Sequence, residues 1–456
     1  METIVYDTKD IIYALATPWG NSAIAVIRIS GEGSIGLLSK AFSRPEALIK
    51  AKSHSVVHGK LVDSHSNRTI DEAMISVFAS GRGYTGEEGA EISIHGNTIG
   101  IQEVLALLGE IGMRPAAPGE FTFRAFMHGK MDLTRSEAVR ELIDSRTSTA
   151  RALALDRLEG ALYQRIESIK QKVLEVVSIV ELQLDYAEDE ISQDTSFPFD
   201  TIEQALSAVR ELLGAYSIGK LYAKGARLVI AGSTNAGKSS LFNLLLKQER
   251  SIVSDVHGTT RDFIEAEIQI EGIPVRLYDT AGLRESTEDS IEREGIHRTN
   301  HLVEQADLIV LMLDGTDAQH ARESIRLLMA DPRCIVVWNK ADVAAREHAP
   351  QGSIAISAKT GTGIKALLHE IVRRLTDSTQ KIEGAAVVIE SQRQYDALLQ
   401  AQKALEAAVQ FARKEVPLDI VAVELDEALE ALGTLTGEVV SEDILERIFS
   451  NFCVGK

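Results

Sequence analysis

The chain of 456 residues is longer than one hydrophobic core supports, which predicts two or three domains. Its formal charge of -19 at pH 7 argues against a constitutive, nonspecific nucleic-acid binder and leaves only a local basic patch as a way to meet a polyanion. The two cysteines, Cys334 and Cys453, cannot build a zinc cluster by themselves and argue against a disulfide framework, so a reducing, cytoplasmic setting is expected.

In chain order, the opening segment shows no basic stretch leading into a long apolar one, and no run of 18 apolar residues occurs further on. Residues 1–120 read as a mixed α/β domain. Apolar runs at 24–29 and 74–78 predict strands, and 91–95 alternates like a half-buried one. The stretch 116–122, with its Pro and Gly, predicts a loop that ends this unit. From 132 to 190 Gly and Pro almost vanish, and Leu142, Leu153, Leu158, Ile166, Ile169, Val173 and Val177 recur at helical separations. Further helices are expected at 201–214, 392–415, 426–432 and 441–450, with a strand and helix alternation from about 225 to 378 between them. The economical architecture is an α/β domain, 219–378, inserted into a helical domain whose parts, 121–218 and 379–456, fold together. Composition alone leaves open that the helical regions are separate linkers.

Within the insertion, Gly232-Ser-Thr-Asn-Ala-Gly-Lys-Ser239 follows an apolar strand and precedes a helix-like run, the context a phosphate loop requires. Gly232 and Gly237 permit the tight turn, backbone N–H groups cradle phosphate, Lys238 reaches the β and γ phosphates, and Ser239 ligates Mg2+. Asn235, Ala236, Gly237, Lys238, Ser239 and Ser240 are the candidate phosphate contacts. Asp279-Thr-Ala-Gly282 supplies the Mg2+-shell carboxylate in Asp279 and a γ-phosphate-sensing N–H in Gly282. Gly258-Thr-Thr-Arg-Asp262 is the first switch candidate, with Thr259 at the nucleotide and Thr260 completing the Mg2+ coordination. Asn339-Lys-Ala-Asp342 selects the base, because the Asp342 carboxylate accepts from both N1–H and the 2-amino group of guanine, a donor pair that adenine lacks. Lys340 lies in the same motif, and Ser357-Ala-Lys359 brings the Ala358 N–H to the guanine carbonyl oxygen. Four motifs in this order predict a Ras-like P-loop GTPase domain. Leu283 stands where many small GTPases carry the Gln that positions water, so hydrolysis must be organised by other means. Asn235 is a candidate ligand for a potassium ion that would supply the charge of an arginine finger, with capping of the loop backbone as the alternative role.

These motifs, together with Ala16-Thr-Pro18, Arg28-Ile-Ser-Gly31, Tyr84-Thr-Gly-Glu87, Pro118-Gly-Glu-Phe-Thr122, Gly129-Lys-Met-Asp-Leu-Thr134 and the terminal Phe452-Cys-Val-Gly-Lys456, resemble the MnmE (TrmE) family of tRNA-modifying GTPases over essentially the full length. The resemblance implies a homodimer whose N-terminal domain dimerises and binds 5,10-methylenetetrahydrofolate or a related tetrahydrofolate, followed by a helical domain carrying the inserted GTPase domain. It implies action with the flavoprotein MnmG (GidA) to place an aminomethyl or carboxymethylaminomethyl group on C5 of the tRNA wobble uridine, the folate donating the one-carbon unit. It further implies potassium-dependent GTP hydrolysis. Asn235 would hold the potassium, the loop through Val253, Val256 and Thr259 would cover it, and Glu292 would orient water through a second water, with Glu294 as the neighbouring alternative.

Cys453 matches the family's C-terminal cysteine near the modification centre, a plain terminal thiol being the alternative. The implied catalytic set is Glu292, Asn235, Lys238 and Cys453. For the folate, Arg28, Glu72, Glu120 and Arg124 are the polar candidates, with intramolecular ion pairing as their other role. The chain departs from the family pattern at Thr234, where Pro is usual, at His257, and in Trp19-Gly-Asn-Ser22 and His95-Gly-Asn97. Two other functions stay open on the residues: a GTP-regulated RNA-binding or assembly factor, and a dimeric scaffold that positions MnmG without touching substrate.

Overall fold

The computed structural model describes residues 8–63, 66–185, 196–248, 265–279, 302–317, 331–344, 346–377 and 387–456. The three expected strands are present and longer, as β2 Ser22–Ser30, β4 Thr69–Phe78 and β5 Gly89–Gly96, and they are joined by elements not expected: β1 Ile12–Leu15, the short helices α1 Ser34–Leu38 and α2 Pro45–Ile49, and β3 Ser55–Val62. Helix α3 Thr98–Glu110 leads to β6 Arg114–Pro115. The sheet runs β3-β4-β5-β2-β1-β6, antiparallel except where β6 lies parallel to β1. Alternate residues Ala25, Ile27 and Ile29, Ala73, Ile75 and Val77, and Ala90, Ile92 and Ile94 fall on one face, where α3 covers them with Ile101, Val104, Leu107 and Leu108. Asn97 begins α3, its side-chain oxygen accepting from the N–H groups of Ile99 (2.9 Å) and Gly100 (3.2 Å). The Asn97 side chain therefore satisfies two helix donors that a residue without a side-chain acceptor would leave open.

The expected loop 116–122 is a loop only as far as Gly119. Helix α4 Glu120–Met127 starts there, with Phe121, Thr122 and Arg124 fully buried. Gly119 adopts φ 69 and packs on the Phe449 backbone so closely that a Cβ would collide with its carbonyl oxygen, so a position that reads as a loop breaker is a helix start fixed by a distant contact.

The expected helical run 132–190 is broken into α5 Leu133–Asp144, α6 Ser148–Leu158 and α7 Ala161–Asp185. Thr147 caps α6 by accepting from the Ala150 N–H (3.1 Å), and Gly160 at φ 102 separates α6 from α7. Helix α8 Phe199–Lys224 then delivers the chain to the nucleotide-binding sheet. That sheet comprises β7 Ala226–Gly232, β8 Glu265–Ile270, β9 Ile273–Asp279, β10 Leu308–Asp314, β11 Cys334–Asn339 and β12 Ile354–Ala355, with helices α9 Lys238–Gln248 and α10 Ile364–Asp377. Its order is β12-β11-β10-β7-β9-β8, and only β8 runs antiparallel to its neighbour. The central strands are apolar on both faces, as a covered parallel sheet requires, and Cys334 is one of their core side chains.

The chain returns through α11 Gln392–Arg413, α12 Leu418–Thr436, longer than the 426–432 expected, and α13 Glu442–Phe449. Helix α11 lies against α8, with ion pairs Arg210–Glu406 (2.7 Å) and Arg413–Glu203 (2.6 Å) and the Tyr216 and Tyr395 rings 4.5 Å apart. Buried Arg157 in α6 bonds Glu141, Glu390 and the Val388 carbonyl. Helices α6, α8 and α11, from before and after the insertion, thus pack together and are not separate linkers. The contacts divide the chain into two compact units, one running to Arg140 and taking in Gly433–Lys456, the other Glu141–Leu432. Among the described residues no helix is long and apolar enough to cross a membrane.

Candidate nucleotide site and N-terminal pocket

The phosphate loop leaves the C-terminal end of β7, the edge at which parallel sheets bind ligands. Gly232 at φ 145 and Gly237 at φ 92 have no room for a side chain: a Cβ would strike the Met312 carbonyl in the first case and the Asn339 amide nitrogen in the second. Asn235 itself adopts φ 65, a left-handed conformation that Asn accepts more readily than most residues. Lys238 opens α9 and donates to the carbonyls of Gly232 (3.0 Å) and Ser233 (2.9 Å), so its ammonium is held across the loop. The Ser239 hydroxyl donates to Asp279 (3.0 Å), which brings together the two groups expected beside a Mg2+ ion.

Asn339 ties the two halves of the site. Its amide donates to the Ala236 carbonyl (2.7 Å) and its oxygen accepts from the Ala358 N–H (3.0 Å), so the base-selecting loops are fastened directly to the phosphate loop. Asp342 is exposed, and the Ser357 hydroxyl, with Lys359 nearby, holds its carboxyl below the usual range. Asp314, at the end of β10, was not among the expected residues. Burial opposes its ionisation, yet hydrogen bonds from Lys340 (2.6 Å) and Thr316 outweigh this and hold its carboxyl below the usual range. It fixes Lys340, which adopts φ 62, within the Asn339–Asp342 motif. Only the long-range pairing of β10 with β11 brings it there, so no local signal marks it.

Gly237→Ala is expected to fold but to lose about tenfold to hundredfold in nucleotide affinity, since the new Cβ displaces Asn339 from Ala236 and costs about 1–3 kcal/mol. Titration with a fluorescent guanine nucleotide measures this.

In the N-terminal unit, a pocket of about 130 Å³ is lined by Arg28, Tyr84, Glu87, Glu91 and Phe121 among others. Arg28 pairs with Glu91 (2.8 Å), donates to the Gly455 carbonyl (3.3 Å), and lies 5.1 Å from the Tyr84 ring centroid. Glu120 and Arg124 sit behind it in a buried network: Arg124 donates to Glu120 (2.9 Å), Glu87 (3.2 Å) and the Asp10 carbonyl (2.8 Å), and Arg114 pairs with Glu120 (2.7 Å). Glu72 is exposed on β4 and does not line the pocket. The polar wall also includes Glu87, in a motif that carried the resemblance, and Glu91, neither of them in the candidate set. Gly455 packs on Leu15 and Ala16, leaving Cys453 exposed two residues earlier.

Two family models divide the chain between them: GTP-binding protein TrmE N-terminus matches residues 11–130 and the MnmE helical domain matches residues 133–453. A tRNA modification GTPase MnmE from Treponema denticola is 40% identical over 99% of both chains. That of Aquifex aeolicus is 38% identical, covering 98% of this chain and all of its own, and that of Borrelia turicatae is 36% identical over 99% of both. The chain belongs to the MnmE family of tRNA modification GTPases. Membership and the assembled nucleotide site together make it a GTP hydrolase of tRNA modification, which sets aside an assembly factor with no part in that chemistry. Of the expected site residues, Val253, Val256, Thr259, Thr260, Gly282 and Glu292, with His257, Leu283 and Glu294, lie outside the described residues.

Proposed function

We propose that GTP hydrolysis here is potassium-dependent and drives, with MnmG, the addition of an aminomethyl or carboxymethylaminomethyl group to C5 of the tRNA wobble uridine in the cytoplasm, a tetrahydrofolate supplying the one-carbon unit. The observation that carries this is the pairing of functions in one chain of the family: a guanine-nucleotide site, and an N-terminal unit against which the Cys453 tail folds through Gly455 and Arg28.

In this reading Lys238 neutralises the β and γ phosphates, and Ser239, Asp279 and Thr260 hold Mg2+. The described part of this set fits, because the Ser239 hydroxyl and the single Asp279 carboxylate leave most of the ion's coordination to phosphate oxygens and water. Asn235 would hold potassium through its side-chain oxygen, and, outside the described residues, Val253, Val256 and Thr259 would supply the covering segment and Glu292 the group that orients water. Potassium supplies positive charge beside the transferring phosphoryl group. Arg28 and the Tyr84 and Phe121 rings offer charge and an apolar wall to a folate. The pocket's 130 Å³ is well below the roughly 300–1,000 Å³ of complete ligand sites, so a homodimer whose second copy completes the wall agrees with the reading.

GTP hydrolysis in potassium is expected to exceed that in sodium at least tenfold, and Asn235→Ala to remove the difference. Phosphate release at matched ionic strength measures both. Equal rates in the two salts contradict the potassium role.

A further inference from the structure

At the end of the nucleotide-binding sheet opposite the phosphate loop, the second unit contains a cleft of about 1070 Å³ between the last turns of α8 and the starts of β7, β10 and β11. Its lining is strongly basic, with Arg146, Lys220, Lys224, Arg227, Arg276 and Arg333 against the carboxylates Asp144 and Asp307. In a chain of formal charge -19 this is a local reversal of sign.

Several of these cations are already neutralised. Arg146 and Arg276 share Glu267, and Arg333 is held by Asp331 (2.8 Å). Lys220, Lys224 and Arg227 are not: among the described residues none of the three has an ion-pair partner. Lys220 lies 5.9 Å from the Tyr216 ring centroid, and the Arg227 guanidinium donates to the neutral side chain of Gln305 (2.9 Å). Lys220 and Lys224 are one helical turn apart on α8 and Arg227 follows at the start of β7, so three exposed charges line one wall. A basic helix end complements the helix dipole, which accounts for Lys224 but not for Arg227 or for the cleft. The wall is mainly charged, unlike the apolar lining of small-molecule pockets, and suits phosphodiesters met through their charge.

We propose that this cleft docks the phosphate backbone of the substrate tRNA, a proposal that rests on the reading of tRNA as the substrate. The nucleotide then turns over at one end of the sheet while the RNA is held at the other.

The test is tRNA binding by the full-length protein across a potassium chloride series, followed by fluorescence anisotropy. Lys220→Ala/Lys224→Ala/Arg227→Ala is expected to weaken binding at low salt at least tenfold and to flatten the slope of log affinity against log salt by about 2 to 3, near one unit per lost phosphate contact. Its basal GTP hydrolysis is expected to be unchanged. Removal of equal charge elsewhere, by Lys50→Ala/Lys365→Ala/Lys403→Ala, should alter neither affinity nor slope. Unchanged binding and slope in the cleft variant, an equal loss in the control, or full displacement of tRNA from the wild type by millimolar pyrophosphate, marking a small-anion site, would each overturn the proposal. A wild type that modifies tRNA while the cleft variant binds it normally sinks the cleft alone; a wild type that binds through the cleft but never modifies sinks the proposed function alone.

Discussion

Asp342→Asn is expected to lower GTP affinity about 100-fold and to let xanthosine triphosphate bind and turn over in its place. Guanine presents two donors, N1–H and the 2-amino group, to an ionised carboxylate, and each such bond contributes about 1.5–3 kcal/mol, so losing their charge-assisted character costs about 3 kcal/mol. Xanthine carries a carbonyl where guanine has its amino group, and an Asn amide restores a donor opposite it. The surroundings hold the side chain for this role: Ser357 bonds the carboxylate, and Asn339 and Asp314 fix the strand ends on which both loops sit. Competition binding of the two nucleotides reads the exchange, and equal loss of both would show that the substitution had collapsed the loop.

Arg124→Ala is expected to destabilise the N-terminal unit by about 3–5 kcal/mol, because it leaves the nearly buried carboxylate of Glu87 without its cation and Glu120 with Arg114 alone. Hydrogen exchange across β1, β2 and α4 in the full-length protein localises the effect. Arg28→Ala should leave that exchange pattern intact, since Arg28 faces the pocket and its partner Glu91 is a third exposed. If the Arg124 variant kept wild-type protection and only bound folate less well, its role as internal support would be wrong.

This contrast marks where the amino-acid sequence is informative. Local pattern gave β2, β4 and β5 of the first sheet and the strand and helix alternation of the second, though not β1, β3 or β6, because alternation or an unbroken apolar run is itself the physical requirement for burying one face or two. The phosphate loop and base-selecting motifs were equally legible, since their chemistry depends on residue type at short spacing. Contacts made across long stretches of chain were not. Gly119 starts a helix because Phe449 presses on it, Asp314 reaches Lys340 through strand pairing, and Arg124 gathers Glu87 and the Asp10 carbonyl from separate segments. The last residues from Gly433 group with the N-terminal unit for the same reason: the Phe449 ring meets Phe123 edge-on and packs tilted against Phe452, and Gly455 seats on Leu15, none of which a helical periodicity reports.

The most direct test of the whole account is mass spectrometry of the wobble uridine after incubating tRNA with the purified protein and MnmG. The modified nucleoside should form only when GTP, potassium and methylenetetrahydrofolate are all present, and Lys238→Ala should abolish it. Modification at an undiminished rate without GTP and without the folate would contradict it.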